Sequence, residues 1–508
     1  MSEASRKRWT LIAAIIGLNI TILDETVVLL ALPAINRDLH VSLNGQEWIV
    51  NAYLLSLSAL LLLGGSLADL FGRRRLFVYG LGAFGIASLA CGLAPTGGVL
   101  IAFRLVQGAA AALVMPSTLA LLTSSFSGEE RGAAIGSWAS WGAVAAAIGP
   151  LVAGVLIGAV SWRAIFFLSL PLVVAAIAIG AWTAQDSRNE QITLRQIDVI
   201  GTALAALGLG GLSFALVQGP AFGWDDPTVL LAAAIGLMGL AGFILYERRA
   251  KSPMLPLRLF RSRNFSAANG ATLALYAVFN GNFFILTIYL QTVLGYSPLA
   301  AGLATLPVTL LMIGLASRLG RLAVRTGPRM PMSLGILLTG VGLGLLAFVE
   351  PGDSYFLHVL PGVVVFGLGL ALTVPPLTNT AVSAVPDSQA GIASGVNDEA
   401  ARVAALLGVA IVGLVFATAF RMSLERPNPT VDLERARVIQ LARDQPSGAL
   451  QIAMPPRLRP QLLPELRSAS INAYRGAMGA GVLIAMAGAL VAFLGIRNPA
   501  EPPPADLD

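Results

Sequence analysis

Cysteine and histidine are almost absent from this chain. Its 508 residues include one cysteine, Cys91, and two histidines, His40 and His358. A structural disulfide is thereby excluded. The histidines lie far apart with no ligand spacing, so no metal site is expected. Charge is scarce too: Asp, Glu, Lys and Arg make up 12% of the residues, about half the share of a soluble domain. Lysine is nearly missing, two residues against 31 arginines, a weak mark of a GC-rich bacterium. No Gly-Lys-Ser/Thr phosphate loop occurs, which leaves an ion gradient rather than ATP as energy source, with no cofactor. The first segment is expected to be an uncleaved span rather than a signal peptide. The apolar run after Arg6-Lys7-Arg8 is too long, carries Asp24-Glu25, and has no small-residue cleavage site after it.

What the chain has in excess is apolar length. It is 56% hydrophobic, with a mean hydropathy of +0.77. Runs long enough for a hydrocarbon core of about 30 Å recur from end to end. Backbone groups in lipid must be satisfied within the segment, so these runs are helices. Fourteen spans are expected, centred near Asn19, Ser56, Gly85, Ala111, Val144, Val173, Leu207, Ala234, Phe279, Val308, Gly340, Leu368, Val409 and Met486. The chain therefore reads as an all-α integral membrane protein. Arginine placement orients it by the positive-inside rule. With a cytosolic N-terminus, twenty of the 33 Lys/Arg residues fall in cytosolic segments, including Arg73 to Arg75, Arg248 to Arg263, and Arg318 to Arg329. Short outer loops hold Arg37 and Arg163. Both termini are thus expected in the cytosol, and residues near Gln445 outside. The positive balance is a topology signal and implies no nucleic acid.

The two ends of the chain echo each other. Gly65-Ser66-Leu67-Ala68-Asp69-Leu70-Phe71-Gly72-Arg73-Arg74 recurs as Gly320-Arg321-Leu322-Ala323-Val324-Arg325-Thr326-Gly327-Pro328-Arg329. Gly108, Pro116, Gly132, Gly136 and Gly149 pair with Gly367, Pro375, Gly391, Gly395 and Gly408 at one constant offset. This predicts two six-helix bundles, residues 1–182 and 264–508, with two inserted helices and a connector at 183–263. Parallel repeats of this kind place a substrate cavity at the midplane. A polar external loop, 422–468, with an amphipathic stretch Asp432 to Arg443, should form a cap or hairpin.

Charge breaks the symmetry. Arg104 is matched by Val363, and Asp69 by Val324, while Asp398, Glu399 and Arg402 align with Ala139, Ser140 and Ala143. An acid in mid-membrane is expensive and normally faces a protein interior or a water-filled path. Asp24 sits about nine residues from Pro33, roughly 13 Å deep, with Arg104 at comparable depth. Desolvation raises a carboxyl pKa and a nearby guanidinium lowers it, so a moving Arg104 could load or release a proton. A structural ion pair between the first and fourth helices is the alternative. Glu25 points about 100° away, as an accessory or rim group. Asp398 and Arg402 can pair along one face at i,i+4, leaving Glu399 toward the cavity to attract a cation. Asp69, with Gly65, Gly72 and Arg73, could latch the cytosolic side as a switch; Gly149-Pro150 could seal or hinge the halves. Tyr53, Trp138, Trp141, Phe279 and Phe283 can offer ring faces to cations, against packing as the plainer role. Asn280 and Asn282, near the position equivalent to Asp24, are candidate substrate contacts.

These motifs resemble the major facilitator superfamily, specifically its fourteen-helix drug:proton antiporters. Leu23-Asp24-Glu25-Thr26-Val27-Val28 with Ala31-Leu32-Pro33 is similar to that subfamily's first-helix motif, with Leu29 in place of the usual Asn. Gly65 to Arg75 resembles the loop motif between helices two and three. Arg104-Leu105-Val106-Gln107-Gly108 resembles the fourth-helix motif. Gly142, Gly149-Pro150 and Gly154 resemble the antiporter motif, with Ala153 where a second glycine is common. The resemblance implies a secondary transporter, not an enzyme, working as a monomer in a bacterial cytoplasmic membrane. It would export small amphipathic, cationic drugs in exchange for protons by alternating access. Export of one self-made natural product or a lipid-like molecule is the alternative in the same fold. A non-transporting scaffold or sensor is the reading from another class.

Overall fold

The structure is a computed structural model that describes residues 2–126, 128–183, 198–250, 253, 255, 257–385, 390–424, 433–452 and 454–498. The helices are α1 (Glu3–Leu39), α2 (Leu43–Phe71), α3 (Arg73–Gly92), α4 (Gly97–Ser125) and α5 (Gly128–Ala159). They continue as α6 (Ala164–Thr183), α7 (Val199–Phe222), α8 (Pro227–Glu247), α9 (Arg263–Thr292), α10 (Pro298–Thr326) and α11 (Arg329–Leu346). Last come α12 (Tyr355–Ser383), α13 (Ala390–Ser423), the short α14 (Leu433–Asp444) and α15 (Arg459–Gly495). Twelve helices among the described residues are long and apolar enough to cross a membrane. With α2 and α5, of 29 and 32 residues, the bundle-length helices number fourteen, and every expected centre falls in one of them. The chain is a multi-pass membrane protein.

Short polar residues start several of these helices by occupying backbone N–H groups that have no intrahelical partner. Ser42 accepts from Gly45 at 3.3 Å, Thr96 from Val99 at 3.4 Å, Ser297 from Ala300 at 3.1 Å and Asp226 from Thr228 at 2.8 Å. The Thr228 bonds hold the Asp226 carboxyl below the usual range. Gly72 separates α2 from α3 at φ 102°, a conformation that a side chain would strain.

Helices α1 to α6 pack on one another, and so do α9 to α13 with α15. The inserted helix α7 lies against both α2 and α13, whereas α8 packs chiefly on α7. Asn44 donates to Gln218 of α7 at 3.1 Å, and Trp48 meets Phe214 at 6.2 Å. The two bundles join along α2/α13 and α5/α10. Contacts across these joins gather on the face opposite the chain termini. A Cβ placed on Gly302 would lie 2.7 Å from the Pro150 carbonyl oxygen, and one on Gly154 2.5 Å from Leu299 Cα. Gln291 donates to the Leu30 carbonyl at 3.1 Å.

That same face carries the cap expected from the polar loop. Its described part is α14 and a 3₁₀ turn, Pro446–Gln451; Asp432 lies outside the described residues. The turn touches α2, α9, α13 and α15, so it covers the mouth between the bundles. Gln46 donates to Ser447 at 2.8 Å, and Arg443 donates to the Arg421 and Leu424 carbonyls at 3.0 Å.

Candidate functional site

The site is built around Asp24. Helix α1 runs on to Leu39, so Asp24 lies 15 residues from the helix end, about 22 Å at 1.5 Å per residue, against the nine residues expected from Pro33. Pro33 falls inside the helix, and the added turns carry Arg37 and Asp38 beyond the apolar region. Asp24 is 5% exposed and Arg104 1%. They form an ion pair, with Arg104 Nη1 donating to Asp24 Oδ2. Gln107 Nε2 donates to Asp24 Oδ1 at 2.7 Å, and Arg104 Nη1 reaches Gln107 Oε1 at 2.8 Å. Arg104 Nε donates to the Ile49 carbonyl at 3.1 Å, and Tyr53 lies 4.2 Å beneath its guanidinium. Gln107 Nε2 is also 3.1 Å from Ser88 Oγ, which stands 2.8 Å from Ser169 Oγ. Both carboxylate oxygens are satisfied, a requirement for a buried ion to persist.

Five helices supply these groups: α1, α2, α3, α4 and α6. Their convergence depends on Gly108, because a Cβ there would collide with the Tyr53 carbonyl oxygen. The glycine lets α4 touch the α2 backbone, bringing Ile49 and Tyr53 onto Arg104. A cavity of about 10 Å³, lined by Ile20, Leu23, Asp24, Ile165 and Ser169 among others, opens beside the carboxylate. It has room for about one water.

Glu25 faces away from this network, half-buried, toward the other bundle. Arg402 acts on it electrostatically more strongly than Arg104 does. Tyr276 of α9 lies within the influence of Glu25, Asp398 and Arg402 together. The expected Asp398–Arg402 pair is not formed. Arg402 reaches across to the Met115 sulfur of α4, 3.2 Å from Nη2, its Nε has no partner, and Asp398 is left exposed. An open i,i+4 pair contributes only about 0.3–0.5 kcal/mol, too little to hold the long side chain along its own helix. Glu399 Oε2 is buried without a partner.

Several candidate cavity residues are engaged elsewhere. Tyr53, 1% exposed, covers the Arg104 guanidinium. Asn282 donates to the Ala477 carbonyl of α15 at 2.9 Å, so it looks into its own bundle. Asn280 donates back to Tyr276 O at 3.0 Å within α9. Trp138 donates to Thr118 at 3.2 Å, tying α5 to α4, and Trp141 is 52% exposed on the bundle surface. Phe279 and Phe283 remain half-buried, 5.0 Å apart, both against Phe366. Gly149 seats Thr26 of α1, while the next carbonyl, Pro150 O, meets α10. The side-chain surroundings of Gly65 and Asp69 lie outside the described residues, and Arg73 is half-buried. Residue-by-residue reading missed Gln107, Ser88 and Ser169. The Arg-Leu-Val-Gln spacing, i,i+3 on one helix face, was the available signal for Gln107.

Two packed helical bundles with an ion pair sealed inside one of them define a secondary transporter. The family described as the Major Facilitator Superfamily matches residues 14–409, and the chain belongs to it. It is 37% identical over 409 residues to the tetracenomycin C resistance and export protein of Streptomyces glaucescens, covering 80% of this chain and 76% of that one. It is 34% identical to the multidrug resistance protein Stp of Mycobacterium tuberculosis, over 82% of this chain and 77% of that one. The puromycin resistance protein of Streptomyces alboniger is 35% identical over 81% and 82%. A solved bacterial homolog of the human lysosomal transporter Spinster superposes with a TM-score of 0.65 at 18% identity, over 96% of this chain and 97% of that one. That likeness concerns the fold.

Proposed function

We propose that the protein exports small amphipathic, cationic drugs across a bacterial cytoplasmic membrane in exchange for protons. Both termini would face the cytosol and the cap the exterior. The two bundles would rock about the joins that α2/α13 and α5/α10 now make, as a monomer with no bound cofactor. The observation that carries this reading is the enclosed Asp24–Arg104–Gln107 network, beside relatives named as drug resistance proteins. A proton on Asp24 removes the charge that holds Arg104, so protonation and the α1–α4 packing are linked. Releasing Arg104 also frees the Ile49 carbonyl and Tyr53 ring of α2, which transmits the change toward the join with α13. Glu25 and Tyr276 lie within electrostatic reach of α13's Arg402, so a cationic substrate between the bundles would meet the acids Glu25, Asp398 and Glu399 against one arginine.

A second reading is export of a self-made natural product. It is favoured by the 34% identity to the probable actinorhodin transporter of Streptomyces coelicolor. Proteoliposomes given a pH gradient and a panel of puromycin, methylenomycin A, tetracenomycin C and cationic dyes separate the two. Gradient-driven uptake of several unrelated cations is expected. Uptake of one neutral polyketide alone would favour the second reading, and no gradient dependence would remove proton coupling.

A further inference from the structure

The α2–α13 join contains an acid that the Asp24 network does not use. Glu47 lies one turn into α2 and is 2% exposed. Its carboxylate rests on Gly413 of α13, where a Cβ would collide with Oε1. One turn deeper on the same face, Asn51 is 0% exposed, and neither its amide oxygen nor its nitrogen has a partner. The neighbouring residue Gln46 bonds the cap at Ser447. Glu47 therefore sits where the N-terminal bundle, the C-terminal bundle and the cap meet.

Among the described residues, no compensating charge faces it. Helix α7 contains no charged residue, nor does the turn Pro446–Gln451. On α13, Arg402 and Arg421 lie 11 and 8 residues from Gly413, about 16 and 12 Å along the helix. Arg104 of α4 is bound to Asp24, Asp38 of α1 to Arg163, and Arg443 to the carbonyls of Arg421 and Leu424. An ionised carboxylate there would be an uncompensated buried charge, and burying the neutral acid costs far less.

We propose that Glu47 is a proton-binding site that controls closure of the external face: the seam closes on the protonated acid, and opening releases the carboxyl to water, where it ionises. The site rests on the external placement of the cap argued above. It adds no transported proton, because the proton enters and leaves on one side. It makes the return of the open carrier to the closed state faster in acid, which biases an exporter toward its next cytosolic loading.

The test uses the full chain in nanodiscs with spin labels at Val160 and Phe356, exposed positions at the cap face of the two bundles. The buried Cys91 stays in place. Distance distributions are recorded from pH 5.5 to 8.5 without drug. In the unsubstituted background the closed population should fall with rising pH, the closed-to-open ratio changing by up to about tenfold per unit for one linked proton. Glu47→Gln should stay closed throughout, and Glu47→Asp should keep the pH response with a displaced midpoint. Asp24→Asn, which alters the ion pair behind α2, should shift the midpoint but keep a pH response, because Glu47 is still present. A Glu47→Gln protein that follows the parent curve would overturn the proposal, as would a parent indifferent to pH, or a response lost in Asp24→Asn and kept in Glu47→Gln. Gradient-driven uptake by the Glu47→Gln protein, measured separately, should retain the parent's proton-to-drug ratio. Loss of proton coupling in the parent would sink the export reading and leave the distance result standing.

Discussion

The acids of α1 and α13 solve the same problem in opposite ways. Asp24 is enclosed, and both of its oxygens are bonded by Arg104 and Gln107. Asp398 is exposed, Glu399 has an unpartnered oxygen, and Arg402 spends its guanidinium on Met115 of the other bundle. The first arrangement keeps its ion pair inside one bundle. The second leaves charge on the surface that the bundles share. The internal repeat sharpens the contrast, because the counterparts of Arg104 and of the α13 acids are Val363, Ala139 and Ser140. Asn282, near the equivalent of Asp24, is spent on α15. Twofold packing has therefore been kept while its charges were divided between an enclosed pair in one bundle and the surface between the bundles.

The largest effect should come from breaking the enclosed pair from the arginine side. Arg104→Leu leaves Asp24 buried without a cation, a change costing about 3–5 kcal/mol. Thermal unfolding in detergent should show a markedly lower midpoint, and Asp24→Asn in the same background should recover part of it. No recovery would mean that Arg104 acts through packing on Tyr53.

Next is the backbone contact that builds the pocket. Gly108→Val should destabilise by about 1–3 kcal/mol through overpacking against the Tyr53 carbonyl. It should also impair transport more than its stability loss explains, because Ile49 and Tyr53 move off Arg104. Wild-type uptake by this variant would show that the pocket tolerates a displaced α2.

The α13 side should behave differently. Glu399→Gln should change stability by less than about 1 kcal/mol, as expected where no partner is lost. Export of dications should fall several-fold while monocations are little affected. Equal losses for both would merge the two acidic sites into one function.

The smallest effect belongs to Asp38 at the end of α1. Arg163, and then Trp162, hold its carboxyl below the usual range. A carboxyl lowered by folding adds stability above its unfolded value near pH 4 and loses it as pH falls through the lowered folded value. The pair is largely exposed, so Asp38→Asn should cost under about 1 kcal/mol at pH 7. The difference should begin to shrink as pH falls below the usual carboxylate range in parallel melts, and go only below the lowered folded value.

Span positions and helix character were readable because burial in lipid forces long apolar helices. The pairing of Asp24 with Arg104 was readable too, since two isolated opposite charges in one bundle have few other solutions. Its completion by Gln107, Ser88 and Ser169 was not, because neutral polar residues on α3 and α6 carry no charge signal. The fate of Arg402 could not be read from helix periodicity. Its partner, Met115, comes from the other bundle, and inter-bundle contacts leave no spacing in the chain. Asn282 and Tyr53 misled for the same reason: a helix face is visible in sequence, but not which neighbour covers it. Glu47 was hidden near the start of its helix, where an acid is ordinarily unremarkable.

The account stands most directly on Asp24. In proteoliposomes with a pH gradient, Asp24→Asn should abolish accumulation of drug against its gradient while preserving drug–drug exchange at equilibrium. Exchange shows that the bundles still alternate, so loss of accumulation alone locates coupling at the carboxylate. Full gradient-driven accumulation by Asp24→Asn would contradict the account.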